Sequence, residues 1–355
     1  MNKLKIGLIS TPLLKVFPDN YGGLEAVVGD LAEALAEKGH DVTVFAPNGS
    51  RVKGCKVVEC GDSKGTVQCD CLDAEQKMYE VYKDQLSQFD IVHGHNHFGF
   101  EYLAKCKNPA LKVCHTHHGG IYVEWWNNVN WGKKHPTSPF KMNFISISKW
   151  MQYTYYKCNG IESMYVYNGV NPNLFSMRKT KGDRLLFVGR FDAVKQPHLA
   201  IAVAKKLNMG LDLVGGTCGI FVEDKRYLAN LETMCDGKQI KMFKDVSHEE
   251  KVKFYQNAKC TLFLSKMGEP FGLISPESMM CGTPVIGTND GAIPETIKEG
   301  GVICTDVDSI IDAIKNIVPK INPADCRKNA ERFTRSIMAE NYLLLYKSIL
   351  CGQEW

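Results

Sequence analysis

The sequence predicts two doubly wound α/β domains in series, facing across a cleft. Three observations carry this expectation. Short apolar strands alternate with amphipathic helices from the first residues onward. The alternation restarts after a polar, charged, aperiodic stretch at residues 171–183, which reads as an interdomain linker. A chain of 355 residues is long for one domain and comfortable for two. The expected division is 1–171 and 172–355.

The elements follow in order. Residues 5–10 form a short apolar strand. Leu24, Val27, Val28, Leu31 and Leu35 fall on one face of a helix that stops at Gly39. Residues 41–45, 90–93, 112–115 and 143–146 are further strands, and strands separated by helices imply a parallel sheet covered on both faces. In the second half, strands at 185–189 and 211–215 flank a helix at 198–207. Residues 247–258 read as a helix opened by a capping box, Ser247 with Glu250. A strand at 260–264, another at 283–287, and helical segments at 306–318 and 327–350 complete the chain.

Composition narrows the function classes. A hydrophobic content of 44% supplies two cores, and 23% charged residues is ordinary for a soluble protein. The net charge of +4 falls short of a dedicated nucleic-acid binder but suits anionic small ligands. Lys3 and Lys5 precede apolar residues as in a secretion signal, yet the run 6–9 is short, holds Gly7 and stops at Ser10-Thr11-Pro12. No stretch approaches the roughly 20 apolar residues of a membrane span. Fourteen cysteines without a signal peptide suggest free thiols in a reducing cytoplasm. Contact with an inner membrane face stays open. Cys55, Cys60, Cys69 and Cys71 lie close together, but without the paired C-x2-C spacing of common zinc sites. No metal is expected there.

The most informative stretch is Glu269-Pro270-Phe271-Gly272-Leu273-Ile274-Ser275-Pro276-Glu277. Ser275 suits an N-cap and Pro276 the first helical position, which puts Glu277 in the first turn. Gly282 then ends the helix. A loop with free amides meeting a helix N-terminus suits a phosphate. Flanking acids would repel that anion on contact, so they suit neutral sugar and ribose hydroxyls instead. The segment reads as a pocket for a sugar attached to a nucleotide diphosphate.

Other residues fit around that pocket. Arg190 follows a buried strand, and Lys195 lies five positions on; beside the 269–277 loop they read as diphosphate ligands. Gly22-Gly23 opens the first long helix and lets a ligand approach the backbone. Neither that pair nor Gly215 to Gly219 makes the dinucleotide fingerprint G-x-G-x-x-G, which disfavours a nicotinamide enzyme. His93, His95 and His97 share a side if their strand continues, and His115, His117 and His118 follow the next strand. They could bind zinc, move a proton or line an acceptor pocket. Trp125, Trp126 and Trp131, with Tyr122 and Phe140, could stack on sugar, anchor at a membrane or fill a core.

Together these segments resemble the retaining glycosyltransferases of family 4, with the GT-B fold of two Rossmann-like domains. Tyr21-Gly22-Gly23-Leu24-Glu25 resembles the family's glycine loop, and Asp90 to His95 and Thr116 to Gly119 its histidine-bearing strand ends. Tyr167 to Asn171 resembles its N-G-V-D segment, with Asn171 in place of Asp. Val188-Gly189-Arg190 with Lys195 resembles its diphosphate clamp, although Gln196 stands where Gly commonly follows the lysine. Glu269 to Glu277 resembles its E-x7-E motif, and Cys281 to Ile286 and Gly291 to Glu295 complete the donor end.

The resemblance implies roles. Arg190 and Lys195 would bind the donor diphosphate, Glu277 the ribose hydroxyls, and Glu269 the transferred sugar. The backbone of Phe271, Gly272 and Leu273 would line that pocket, with Gly22 and Gly23 approaching the donor phosphate from the other domain. His118 would stand by the reacting sugar, with His117 and His115 as the alternatives if the register shifts. His95, His97, His117, Trp125 and Trp126 would line the acceptor pocket. A last helix at about 333–350 would cross back to the first domain. The implied reaction is transfer of a sugar, a hexose being the expected class, from a uridine or guanosine diphosphate sugar to a hydroxyl of a glycan, lipid or small molecule. It would keep the anomeric configuration. No Asp-x-Asp metal motif stands at the donor site, so no cofactor or obligatory metal is expected. A sugar-nucleotide epimerase of related fold and a silent nucleotide-sugar-binding protein are the competing readings.

Overall fold

The computed structural model describes residues 2–18, 22–65, 71–104, 110–119, 142–216, 222–266 and 268–355. The chain divides into two compact units, one built mainly from the sequence up to Gly169 plus Arg335–Trp355, the other from Val170–Thr334.

The first unit holds a parallel sheet in the order β3-β2-β1-β4-β5-β6-β7. Its strands are β1 Lys5–Ile9, β2 Asp41–Ala46, β3 Lys56–Glu59, β4 Ile91–Gly94, β5 Val113–Thr116, β6 Asn143–Ser146 and β7 Met164–Tyr165. The central strands are apolar along their length because both faces are covered; Ile6, Leu8, Ile9, Ile91 and Val92 are wholly buried. The helix Gly23–Glu37 buries Val27, Val28, Leu31 and Leu35, the stripe its periodicity predicts.

The second unit repeats the plan in the order β10-β9-β8-β11-β12-β13. Its strands are β8 Leu185–Val188, β9 Leu211–Gly215, β10 Ile240–Lys244, β11 Cys260–Phe263, β12 Val285–Thr288 and β13 Gly301–Cys304. One face packs Leu185, Phe187, Leu211, Leu213 and Leu262 among helix residues such as Ile201 and Ala204. The other packs Leu186, Val188, Val214 and Phe263 against Tyr255, Met279 and Met280. Both sheets reverse their strand order beside the first strand, between β1 and β4 and between β8 and β11, which is where ligands of such sheets bind.

The last helix, Arg335–Leu350, belongs to the first unit. Its Arg335 pairs with Glu33 and Glu37 at 2.6 Å each and with Asp30 at 3.4 Å, all on the helix Gly23–Glu37. Immediately before it, Thr334 bridges Val170, so the second unit's main segment begins and ends side by side.

Several expectations need correction. Residues 171–183 are not a free linker but are packed within the second unit. Phe175 is buried, Arg178 N donates to Cys281 O (3.1 Å), and Gly182 N to Asn257 O (2.9 Å). Polar composition hid an irregular segment that these amides tie to its own unit. Residues 306–318 are not one α-helix: Val307–Asp312 is α, Ala313–Ile317 is π and Val318–Lys320 is 3₁₀, broken as Pro319 enters. Ser275 does not cap the helix after the two-glutamate loop. That helix, Ile274–Met280, starts earlier, from Leu273, because Gly272 at φ +83° turns the chain and Ser275 N donates to Gly272 O (3.1 Å).

Candidate functional site

In the second unit, Arg190 follows β8 and Glu269 follows β11, on either side of the point where the strand order reverses. Close backbone approach shapes the floor: a Cβ on Gly215 would lie 2.1 Å from the Gly189 carbonyl oxygen. Beyond β8, Asp192 organises the turn. Its carboxylate accepts from Lys195 N at 3.1 Å and pairs with Arg190 Nη2 at 3.1 Å. The turn closes on Gln196 at φ +57°, a left-handed conformation that glycine adopts most readily. This is the physical reason a glycine would be usual after the lysine.

Lys195 Nζ donates to Glu269 Oε2 at 2.5 Å, both side chains mostly buried. Asp290 holds the start of the loop by accepting from Gly268 N (2.9 Å) and Glu269 N (3.1 Å). These two amides are therefore occupied rather than free for an anion. Ala292 N donates to Glu269 O (2.8 Å), and Gly291, at φ +56°, lies so close that a Cβ would come within 2.3 Å of Glu269 N. Phe271 turns its ring into the core, 5.5 Å from Phe333 between centroids and nearly perpendicular. Leu273 is half-buried at the mouth of the helix, and Glu277 lies in that helix's first turn. Lys251 Nζ sits 3.0 Å from each Glu277 oxygen, and Tyr255 Oη donates to Oε2 at 2.8 Å.

In the first unit, Gly22 enters the first helix at φ +145°, and a Cβ there would strike Pro18 at 2.5 Å. Gly23 is the first helical residue. Glu25, in that helix's first turn, accepts from Thr11 Oγ1 at 2.5 Å, and burial holds its carboxyl above the usual range.

His93, His95 and His115 are buried on and beside β4 and β5, and His117 and His118 are half-buried just after β5. His93 shares hydrogen bonds with Tyr346 Oη (2.7 Å) and Thr116 Oγ1 (2.8 Å), and Thr116 with Tyr342 Oη (2.9 Å). His95 lies 3.9 Å from His93 between ring centroids and bonds through Nδ1 to His118 Nε2 at 2.9 Å. Burial pushes the His93, His95 and His115 rings well below the usual imidazole range, and His117 and His118 down to about 3. All five are neutral at pH 7. His117 packs edge-on to Tyr155. His97 departs from the expected alternation: β4 ends at Gly94, and the His97 side chain is 39% exposed on the following loop. Trp125 and Trp126, like Tyr122, Trp131, Phe140 and Cys69, lie outside the described residues. Cys55 and Cys60 are free thiols.

Some site residues escaped the sequence reading. Asp192 and Asp290 organise the two loops, and Lys251 and Tyr255 hold Glu277. A usable signal existed only for the last pair, four apart on a helix whose capping box fixes its start. Glu75 gave none. It is wholly buried and accepts from His97 N and Phe98 N at 2.7 Å each and from Asn96 Nδ2 at 3.0 Å, fastening the loop after β4.

Known proteins share this plan. Residues 21–174 match the family Glycosyltransferase Family 4, and residues 175–333 match Glycosyl transferases group 1. The chain is similar to spore coat protein SA of Bacillus subtilis, 22% identical over 96% of each chain. Its fold is similar to that of a sucrose-phosphate synthase from Thermosynechococcus elongatus, with a TM-score of 0.79, 21% identity, and coverage of 99% of this chain and 100% of that one. It is also similar to Anabaena HepE, solved in complex with UDP and glucose, with a TM-score of 0.75, 16% identity, and coverage of 97% and 100%.

Proposed function

The chain belongs to the family 4 glycosyltransferases of GT-B fold, and on that premise we propose that it transfers a hexose from a nucleotide diphosphate sugar to an acceptor hydroxyl with retention at the anomeric carbon. The observation that carries this reading is the cluster at the reversal point of the second sheet: Arg190, Lys195 with Glu269, and Glu277 held by two donors. The Lys195 ammonium has three protons, so it can hold Glu269 and still donate to a phosphate oxygen. Arg190 likewise keeps free N–H groups after pairing with Asp192. Growing charge on the departing diphosphate is what these two cations stabilise. Glu269, fixed by Lys195, accepts from hydroxyls of the sugar, and Glu277 accepts from the ribose. In the transfer, the bond from the anomeric carbon to the phosphate oxygen breaks as the bond to the acceptor oxygen forms on the same face. The acceptor proton passes to the departing phosphate oxygen. His118 belongs beside the reacting sugar, where a neutral imidazole bonds hydroxyls without attracting the phosphate. Gly22 and Gly23 allow backbone approach to the donor, and His95, His97 and His117 face the acceptor. A uridine or guanosine diphosphate sugar is the expected donor, the UDP complex of HepE supporting the former. Arg190 and Lys195 supply the charge a metal would otherwise bring, so turnover is expected without divalent ions, in the cytoplasm.

The test is incubation with a panel of nucleotide sugars and small hydroxyl acceptors in chelator, with products read by NMR. An α-linked product from an α-linked donor is expected. A β-linked product, or loss of turnover in chelator restored by magnesium, contradicts the reading. An altered sugar formed from donor alone identifies an epimerase.

A further inference from the structure

We propose that Tyr255 and Lys251 are positioning residues that turn Glu277 into a reader of the ribose diol. The inference rests on the assignment of Glu277 to ribose and deepens it. The geometry starts from the capping box. Ser247 Oγ accepts from Glu250 N (3.2 Å), Glu250 Oε2 accepts from Ser247 N (2.9 Å), and the helix His248–Asn257 is fixed at its start. Lys251 and Tyr255 are four apart on that helix, so they share a face. Both reach one carboxylate in the next helix, Ile274–Met280: the ammonium lies 3.0 Å from both oxygens and the phenol 2.8 Å from Oε2.

The two donors have different exposures. Tyr255 is wholly buried and cannot touch a nucleotide. Its hydroxyl stays a donor because burial raises its pKa well above the usual range. Thr283 Oγ1 donates to the Tyr255 carbonyl at 2.5 Å and holds the residue in place. The Lys251 side chain is 24% exposed and straddles the carboxylate without enclosing it. Lys251 donates its hydrogen bond to Oε1 and Tyr255 to Oε2, so two of a carboxylate's roughly four acceptor positions are taken and one on each oxygen can receive a neighbouring hydroxyl. A carboxylate left to rotate would present no such paired acceptors.

The experiment is calorimetric titration with uridine, guanosine and adenosine diphosphates and their 2′,3′-dideoxy counterparts. The proteins are the intact chain and its Tyr255→Phe and Lys251→Met variants. For the nucleotide that binds best, the wild type should prefer the ribose form by about tenfold or more, because hydrogen bonds to a charged group are the strong ones. Both variants should bind the dideoxy form as the wild type does while the preference shrinks to about a third or less. An unchanged preference in both variants overturns the inference while leaving Glu277 on the ribose. Equal weakening of both nucleotide forms also overturns it, since that is a general structural effect. A wild type that binds ribose and dideoxyribose forms alike removes the ribose assignment, and the inference with it.

Discussion

At the strand ends of the second unit, each site cation named above has a carboxylate partner: Arg190 with Asp192, Lys195 with Glu269, Lys251 with Glu277. At the corresponding ends in the first unit, the hydrogen-bonded cluster is of imidazoles and hydroxyls, His93, His95, His118, Thr116, Tyr342 and Tyr346, and the nearby carboxylate of Glu75 is bonded to Asn96 and to loop amides. The two sheets share a topology and reverse order at the same place, so the fold does not set this difference. Charge does. Paired ions hold long side chains in place before a ligand arrives, and they can still offer protons to an anion. Neutral imidazoles offer hydrogen bonds without a charge that would compete for that anion. On the proposed function, the first arrangement suits a diphosphate and the second suits hydroxyls.

The largest expected effect tests the ionic side. Lys195→Ala should lower kcat/KM by about 10²- to 10³-fold, because it removes a donor aimed at developing charge and leaves Glu269 without its cation. Steady-state kinetics with the preferred donor check this. A fall of less than about tenfold would mean that the ammonium serves only Glu269.

A smaller effect tests the neutral side. The His117 and His118 rings are pushed down to about 3 in the fold from about 6.5 when unfolded, and the buried His93, His95 and His115 rings shift in the same direction. Between those values the unfolded chain binds more protons than the folded one. The histidines' contribution to stability is therefore whole above pH 6.5 and lost progressively as pH falls toward 3. Glu25 acts in the opposite sense, since its raised pKa adds stability at low pH that fades as pH rises through its folded value. One carboxyl is set against five imidazoles. Hydrogen exchange at about pH 7 and about pH 5, corrected for intrinsic rates, should show protection falling more around β4 and β5 than around β8 and β11. Equal loss in both units would erase the distinction.

Much of this architecture is legible in the sequence. Buried central strands such as Leu185–Val188 are continuous apolar runs, and the capping box at Ser247 marks its helix start to the residue. Glu269 and Glu277 stand out through their spacing around a glycine turn. Other elements are silent for physical reasons. Strand β10, Ile-Lys-Met-Phe-Lys, lies at the sheet edge and is only half-buried, so its polarity masks it. Lys195 gives no hint that it pairs with Glu269, because that contact joins residues 74 positions apart through the β8–β11 pairing. The cap assigned to Ser275 fails because the positive φ of Gly272 starts the helix sooner. Glu75 is unreadable because its value lies entirely in the backbone amides it accepts from a distant loop.

The central claim is that the paired ions of the second unit receive a nucleoside diphosphate. Calorimetric titration of uridine, guanosine and adenosine diphosphates into the intact chain tests it most directly, with Arg190→Ala run in parallel. The account predicts saturable one-to-one binding of at least one of the three, weakened at least tenfold by the substitution and weaker at higher salt. No binding of any of the three, or equal binding by the variant, would contradict it.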